Sequence, residues 1–181
     1  MMRIPHIFMA FVLTAVAAGA GVIAQTPGAD VHYVPTPDAV VSAMLDLAGV
    51  TAADVVYDLG SGDGRIVIEA ARKYGARGVG IELDPELNKK AGRSAQKAGV
   101  ADRVTFVRAD FFKIDLSEAS VVTLFLSPNI NARLQSKLRR ELKPGARIVS
   151  HRFTMPPDWK PDRDLTVKGT HVFLWTIRQP D

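Results

Sequence analysis

The sequence predicts a doubly wound α/β domain, built on a mostly parallel seven-stranded sheet that closes with an antiparallel C-terminal strand. From Asp54 onward, short β-branched runs alternate with helical segments of roughly ten to fifteen residues, a pattern that implies right-handed crossovers between parallel strands. A glycine-rich segment, Gly60-Ser-Gly-Asp-Gly64, stands where the first strand passes into a helix. The last two strand-like runs are joined only by Lys168-Gly-Thr170, too short a link for a crossover, so they must pair antiparallel.

The elements follow in order. Asp38 is placed to cap a helix that runs through Met44 and Leu47 and stops near Gly49. Asp54–Asp58 is the first strand, Gly64–Tyr74 a helix with Ile66, Ile68, Ala70 and Ala71 as its apolar positions, and Gly78–Glu82 the second strand. A polar-faced helix spans Asp84–Ala98, and Arg103–Val107 and Ser120–Leu126 are the third and fourth strands. Asn129–Leu142 is a helix closed by Lys143-Pro-Gly145, and Arg147–His151 is the fifth strand. Met155-Pro-Pro-Asp-Trp-Lys-Pro161 cannot hold a long helix. Leu165–Val167 and His171–Arg178 complete the sheet.

At 181 residues, 47% apolar and 23% charged, the chain can bury the core of one domain, and a monomer is expected. The net charge of +4 is too mild to argue for nucleic acid as a partner. The absence of cysteine rules out disulfides, thiolate metal clusters and a cysteine nucleophile; no metal site is expected. Residues 1–24 form a separate unit, in which Arg3 precedes an uncharged, mostly apolar run from Ile7 to Ala24. Val22 and Ala24 suit a signal peptidase, yet the run also just reaches across a bilayer core. The segment is therefore a signal peptide, a membrane anchor, or the product of a misplaced start codon. In the first two cases it engages the export machinery or the membrane. A single arginine leaves open which side of the membrane the domain faces. Residues 25–37, with three prolines, read as a linker ending in a docking loop, and 38–181 as the folded domain.

The strongest chemical signal is Val56-Tyr-Asp-Leu-Gly-Ser-Gly-Asp-Gly-Arg65 at the first strand-to-helix turn. A dinucleotide fingerprint would place its third glycine at position 65, which holds Arg65. The spacing Asp58-x-Gly60-x-Gly62-x-Gly64 instead resembles the first motif of class I methyltransferases, where such a loop wraps the amino-acid end of S-adenosylmethionine. The blander reading is a tight turn with Asp63 capping the helix. Glu82 lies 18 residues beyond Gly64, close to where an acidic side chain receives the hydroxyls of a nucleoside ribose. Asp110 matches the position that, in this class, accepts a hydrogen bond from the adenine amino group, and Phe111 or Phe112 could wall off the base. The fourth strand ends in Ser127-Pro-Asn129, without the Asn/Asp-Pro-Pro-aromatic signature of nucleic-acid amino methyltransferases. Asn129 is there either a helix cap or a group facing the methyl acceptor.

Tyr33-Val-Pro-Thr-Pro37, Asp58-Leu-Gly-Ser-Gly-Asp-Gly-Arg65, Ser150-His-Arg-Phe153 and Asp158-Trp159 together resemble a narrower group. These are the small protein-lysine methyltransferases that modify the ATP synthase c subunit and the adenine nucleotide translocase in mitochondria, with bacterial and archaeal relatives. The resemblance runs from about Val31 to Arg178. It implies S-adenosylmethionine as cofactor and a protein substrate, membrane-associated substrates among the candidates. It implies a cofactor set of Tyr33, Pro35 and Thr36 in a pre-motif that folds over the cofactor, Asp58, Gly60, Ser61, Gly62, Asp63 and Gly64 in the loop, and Glu82, Asp110 and Phe111 beyond it. Methyl transfer to lysine needs little beyond alignment of amine, methyl and sulfur, so Tyr33 or Asn129 are the candidates to orient the amine, and no base is assigned. His151 is read as structural before catalytic, because the sequence offers it no partner. Trp159 and Trp175 are read as packing residues, Arg139 and Arg140 as a solvated face, and Arg147 as a polar strand start. A small-molecule methyltransferase and a non-catalytic adenosyl-binding module are the alternatives.

Overall fold

The computed structural model describes residues 33–178; the leader and most of the linker predicted above lie outside them. No helix among the described residues is long and apolar enough to cross a membrane. The seven strands are β1 (Val55–Leu59), β2 (Arg77–Ile81), β3 (Val104–Val107), β4 (Val121–Leu124), β5 (Arg147–His151), β6 (Arg163–Val167) and β7 (Thr170–Thr176), in the order β3-β2-β1-β4-β5-β7-β6. β1 to β5 run parallel, and β7 inserts antiparallel between β5 and β6, as the short Lys168-Gly-Thr170 link requires. The order reverses between β1 and β4, so a crevice opens over their carboxyl ends.

Both faces of the sheet are covered, and strand parity assigns residues to each. Val56, Val121, Val149 and Val172 point to the face packed by α1 (Asp38–Leu47), α2 (Arg65–Tyr74) and α3 (Pro85–Lys97). Leu59, Val122, Leu124 and Ile148 point to the other, where α4 (Pro128–Glu141) inserts Leu134 and Leu138.

Several local expectations change. Asp38 does not cap α1; Pro37 is the N-cap, and Asp38 is the first helical residue. α2 starts at Arg65, with left-handed Gly64 before it; Ile66, Ala70 and Ala71 are buried as expected, joined by Val67, while Ile68 at the flank of that stripe is only partly buried. Asp84 caps α3 by accepting from the amides of Glu86 and Leu87. Arg147 is more than a polar strand start: its guanidinium is paired with buried Asp54 and bonded to the carbonyls of Ala48 and Gly49, tying β5 to the end of α1.

Candidate active site

The glycine loop follows directly from β1. The amides of Gly60 and Ser61 share the carbonyl of Ile81 at the end of β2 (2.9 and 3.0 Å), and the Gly62 amide donates to Glu82 Oε2 at 2.9 Å. Gly62 has φ +54, and a Cβ there would stand 2.4 Å from the Tyr33 ring, so the pre-motif lies directly on the loop. Gly64 has φ +80, and a Cβ there would meet Phe106 at 2.5 Å, so that glycine serves close packing of loop on sheet.

Asp58, at the end of β1, is 3% exposed and accepts a hydrogen bond from Thr123 of β4 at 2.7 Å. Burial, reinforced by the charges of Glu82 and Asp63 and only partly offset by Thr123, pushes its carboxyl up to about 7. Glu82 accepts the Gly62 amide on one oxygen and the Asp84 amide on the other, leaving each a further lone pair toward the crevice. Asp110 opens the turn after β3, where its Oδ1 accepts from the Phe112 amide at 3.0 Å. Phe111 and Phe112 are half-buried with centroids 4.9 Å apart, and Arg133 of α4 stacks on Phe112 at 4.2 Å.

Asp63 does not cap α2; it forms a two-pronged pair with Arg65 (2.9 and 2.8 Å) and has Lys90 at 3.5 Å. Burial opposes its ionisation, but Arg65, Tyr33 and Lys90 outweigh this and hold its carboxyl down at about 2. Arg65 also donates to the carbonyl of Thr36 at 3.0 Å, pinning the pre-motif to the loop. Thr36 is buried, and its Oγ1 lies 3.3 Å from His151 Nδ1 at the end of β5, while Pro35 and Tyr33 remain exposed. Asn129 is not the cap of α4: Ser127 holds that position, and Asn129 sits exposed in the first helical turn. Trp175 is buried and donates to the carbonyl of Trp159, and Arg139, exposed together with Arg140, lays its guanidinium 4.3 Å from the Trp159 ring.

The sheet edge thus brings together Asp58, the glycine loop, Glu82, Asp110 and the pre-motif, and Asn129 stands exposed in the first turn of α4, which follows β4. Arg65 is a further site residue, for which Asp63-x-Arg65 beside a glycine loop is a local charge signal. The partner of His151 has no such signal, because Thr36 stands 115 residues away in sequence.

These residues fit an adenosyl cofactor. Three left-handed glycines flatten the loop, buried Ser61 Oγ has no hydrogen-bond partner among the described residues, and a buried carboxyl waits beside the loop for a cationic group. Fold and site define a class I, S-adenosylmethionine-dependent methyltransferase. Residues 58–163 match the family described as the ANTKMT methyltransferase domain, and the chain belongs to that family. It is 47% identical over 152 residues to a protein-lysine N-methyltransferase of Saccharolobus islandicus, covering 81% of this chain and 94% of that one. It is 44% identical over 107 residues to the adenine nucleotide translocase lysine N-methyltransferase of Mus musculus, covering 59% of this chain but only 46% of the mouse protein. Among solved structures it resembles an RNA methyltransferase from Salinibacter ruber in complex with S-adenosyl-L-homocysteine. The TM-score there is 0.80 and the identity 55%, over 82% of this chain and 96% of that one.

Proposed function

We propose that the chain methylates the side-chain amine of lysine in a protein substrate. The observation that carries this is the 47% identity to the archaeal protein-lysine N-methyltransferase, which extends over 94% of that protein. When bound, S-adenosylmethionine supplies an electrophilic methyl on a sulfonium. Asp58 and the glycine loop would hold its amino-acid end, Glu82 its ribose and Asp110 its base, while Tyr33 and Thr36 form a roof held by Arg65. Residues 1–24 add the expectation that the domain works at a membrane, on substrates embedded in or beside it.

The name of the Salinibacter relative favours RNA as a second reading. Against it stand the mild net charge and the Ser127-Pro-Asn129 edge, which lacks a base-methylation signature. The two separate in one experiment: the purified full chain is incubated with methyl-labelled S-adenosylmethionine and with membrane, soluble and RNA fractions, followed by mass spectrometry of peptides and nucleosides. Label on lysine Nζ is expected. Label confined to nucleosides or small molecules overturns the proposal.

A further inference from the structure

The carboxyl ends of β4 and β5 bring together side chains that the cofactor does not need. Phe125, just after β4, has its ring centroid 4.0 Å from that of His151 at the end of β5. Phe153 stands 6.3 Å from Phe125, nearly parallel at 18°. Both phenylalanines are half-buried, and His151 is 5% exposed. Thr36 occupies His151 Nδ1, and Nε2 on the far side of the ring has no hydrogen-bond partner among the described residues.

The backbone here is held from beneath. Arg152 has φ +67, and the Phe153 amide donates to the His151 carbonyl at 2.8 Å, a tight reversal that a non-glycine residue adopts only under constraint. The constraint is visible. Ser150 Oγ donates to the Phe153 carbonyl at 2.6 Å, and fully buried Asn131 donates to the carbonyls of Phe153 and Thr154 at 3.3 and 3.2 Å. Ser150 of β5 and Asn131 of α4 therefore fix the turn that follows His151, and Phe125 is the ring that neighbours both His151 and Phe153.

We propose that Phe125, His151 and Phe153 form the slot for the acceptor's alkylammonium group, with His151 Nε2 as the atom that takes its proton; this rests on the protein-lysine reading above. The methylene chain of a lysine is matched by the apolar ring surfaces, and its ammonium by their faces. Burial, and then the Arg152 guanidinium, lower the His151 pKa below its ordinary value, so the ring is neutral near pH 7 and free to accept a proton. Arg152 is the charged group beside it; Thr36 from the pre-motif, Phe125 from the β4 edge and Val172 across the ladder carry no charge. In the step, one proton passes from the ammonium to Nε2 and on to water. The lone pair freed on nitrogen forms the new N–C bond as the S–C bond breaks, and the electron pair of the broken bond stays on sulfur.

Two measurements on the full chain test this. His151→Gln keeps a polar side chain of similar reach without a basic nitrogen. It should lower kcat about 100-fold, the usual contribution of a proton acceptor, while affinity for S-adenosyl-L-homocysteine stays within about twofold. The deficit should shrink as pH rises from about 7.5 to 9.5, where the acceptor amine loses its proton to solvent. Independently, n-butylamine, a lysine side-chain mimic, should shift the His151 ring resonances in NMR but not those of exposed His171; Phe125→Ala should abolish the shift. Should His151→Gln fail to fold, the n-butylamine titration of wild type and Phe125→Ala decides alone. Unchanged kcat, a deficit independent of pH, or no His151 shift overturns the slot even if wild type labels lysine. Wild-type label on RNA alone overturns the lysine reading and the slot with it.

Discussion

Over β1, β2 and β3, the active edge is lined by Asp58, Asp63, Glu82 and Asp110 and shaped by backbone: Gly60, Ser61 and Gly62 all donate amides across the loop, two to Ile81 and one to Glu82. Over β4 and β5, the same edge is lined by Phe125, His151 and Phe153, whose rings lie 4.0 and 6.3 Å apart. One half is made of carboxylates at fixed chain spacing, the other of aromatic surface assembled from distant segments. The difference follows from what each must hold. A cofactor with ribose hydroxyls and an amino-acid end is recognised by oriented polar groups. An amine about to be methylated must be unprotonated, which a dry, apolar surround favours. The Asp58–Thr123 hydrogen bond at 2.7 Å is where the halves meet across β1 and β4.

The largest expected effect lies on the carboxylate side. Asp58→Ala should cut methyl transfer roughly 100-fold by removing charge-assisted bonds to the cofactor. Asp58→Asn should do the same yet unfold at a higher temperature at pH 8, since the native carboxylate is buried at a cost. The sign follows from its carboxyl being pushed up to about 7 from an ordinary 3.8. The stability this group contributes is full below 3.8 and lost as pH rises through about 7. Affinity for S-adenosyl-L-homocysteine, which brings a cationic amine, should weaken as pH falls from 8 to 6 in wild type and stay flat in Asp58→Asn. Calorimetric titration at the two pH values checks it; a flat wild-type profile removes Asp58 from cofactor recognition.

That contrast also decides what a sequence can reveal. The glycine loop, Glu82 and Asp110 were legible because βα geometry fixes them at set distances along the chain. β5 falls on Arg147–His151 as read, because its apolar run is bounded by a Pro-Gly turn before it. Thr36 with His151, Phe125 with Phe153, and Asp54 with Arg147 carry no local pattern; only the strand order brings them together. Helix ends were misplaced by a residue or two: Pro37 and Ser127 cap without a side-chain hydrogen bond, so the better-looking caps Asp38 and Asn129 lie inside their helices.

A middle-sized effect separates two glycines of the same loop. In Gly62→Ala the new Cβ strikes Tyr33, an exposed ring on the pre-motif that can be displaced outward. Cofactor affinity should fall about tenfold as the roof shifts, while Tm loses only the roughly 1 kcal/mol that a left-handed alanine costs at either glycine. In Gly64→Ala the Cβ strikes Phe106 and Ala91 at 2.5 and 2.9 Å, within packed structure. There the loss should be in Tm, from about 1–3 kcal/mol of overpacking. Equal Tm losses in both variants would mean the pre-motif is part of the core rather than a roof on it.

The smallest effect tests whether the halves act independently. Arg65 serves three acceptors at once, both Asp63 oxygens and the Thr36 carbonyl, and a single lysine ammonium cannot span that fork. Its side chain is about one-third exposed at 32%, so solvent screens part of the pair, and Arg65→Lys should weaken S-adenosyl-L-homocysteine binding only about threefold, less at high salt. The informative quantity is its coupling to His151→Gln. Thr36 is bonded to Arg65 through its carbonyl and to His151 through its hydroxyl, so a displaced pre-motif reaches both halves. Effects on kcat/KM that exceed additivity by more than about 0.5 kcal/mol would make the pre-motif the joint between carboxylate and aromatic halves. Additive effects would leave two adjacent sites that share the β1–β4 ladder, with Asp58 and Thr123 bonded across it, and respond separately.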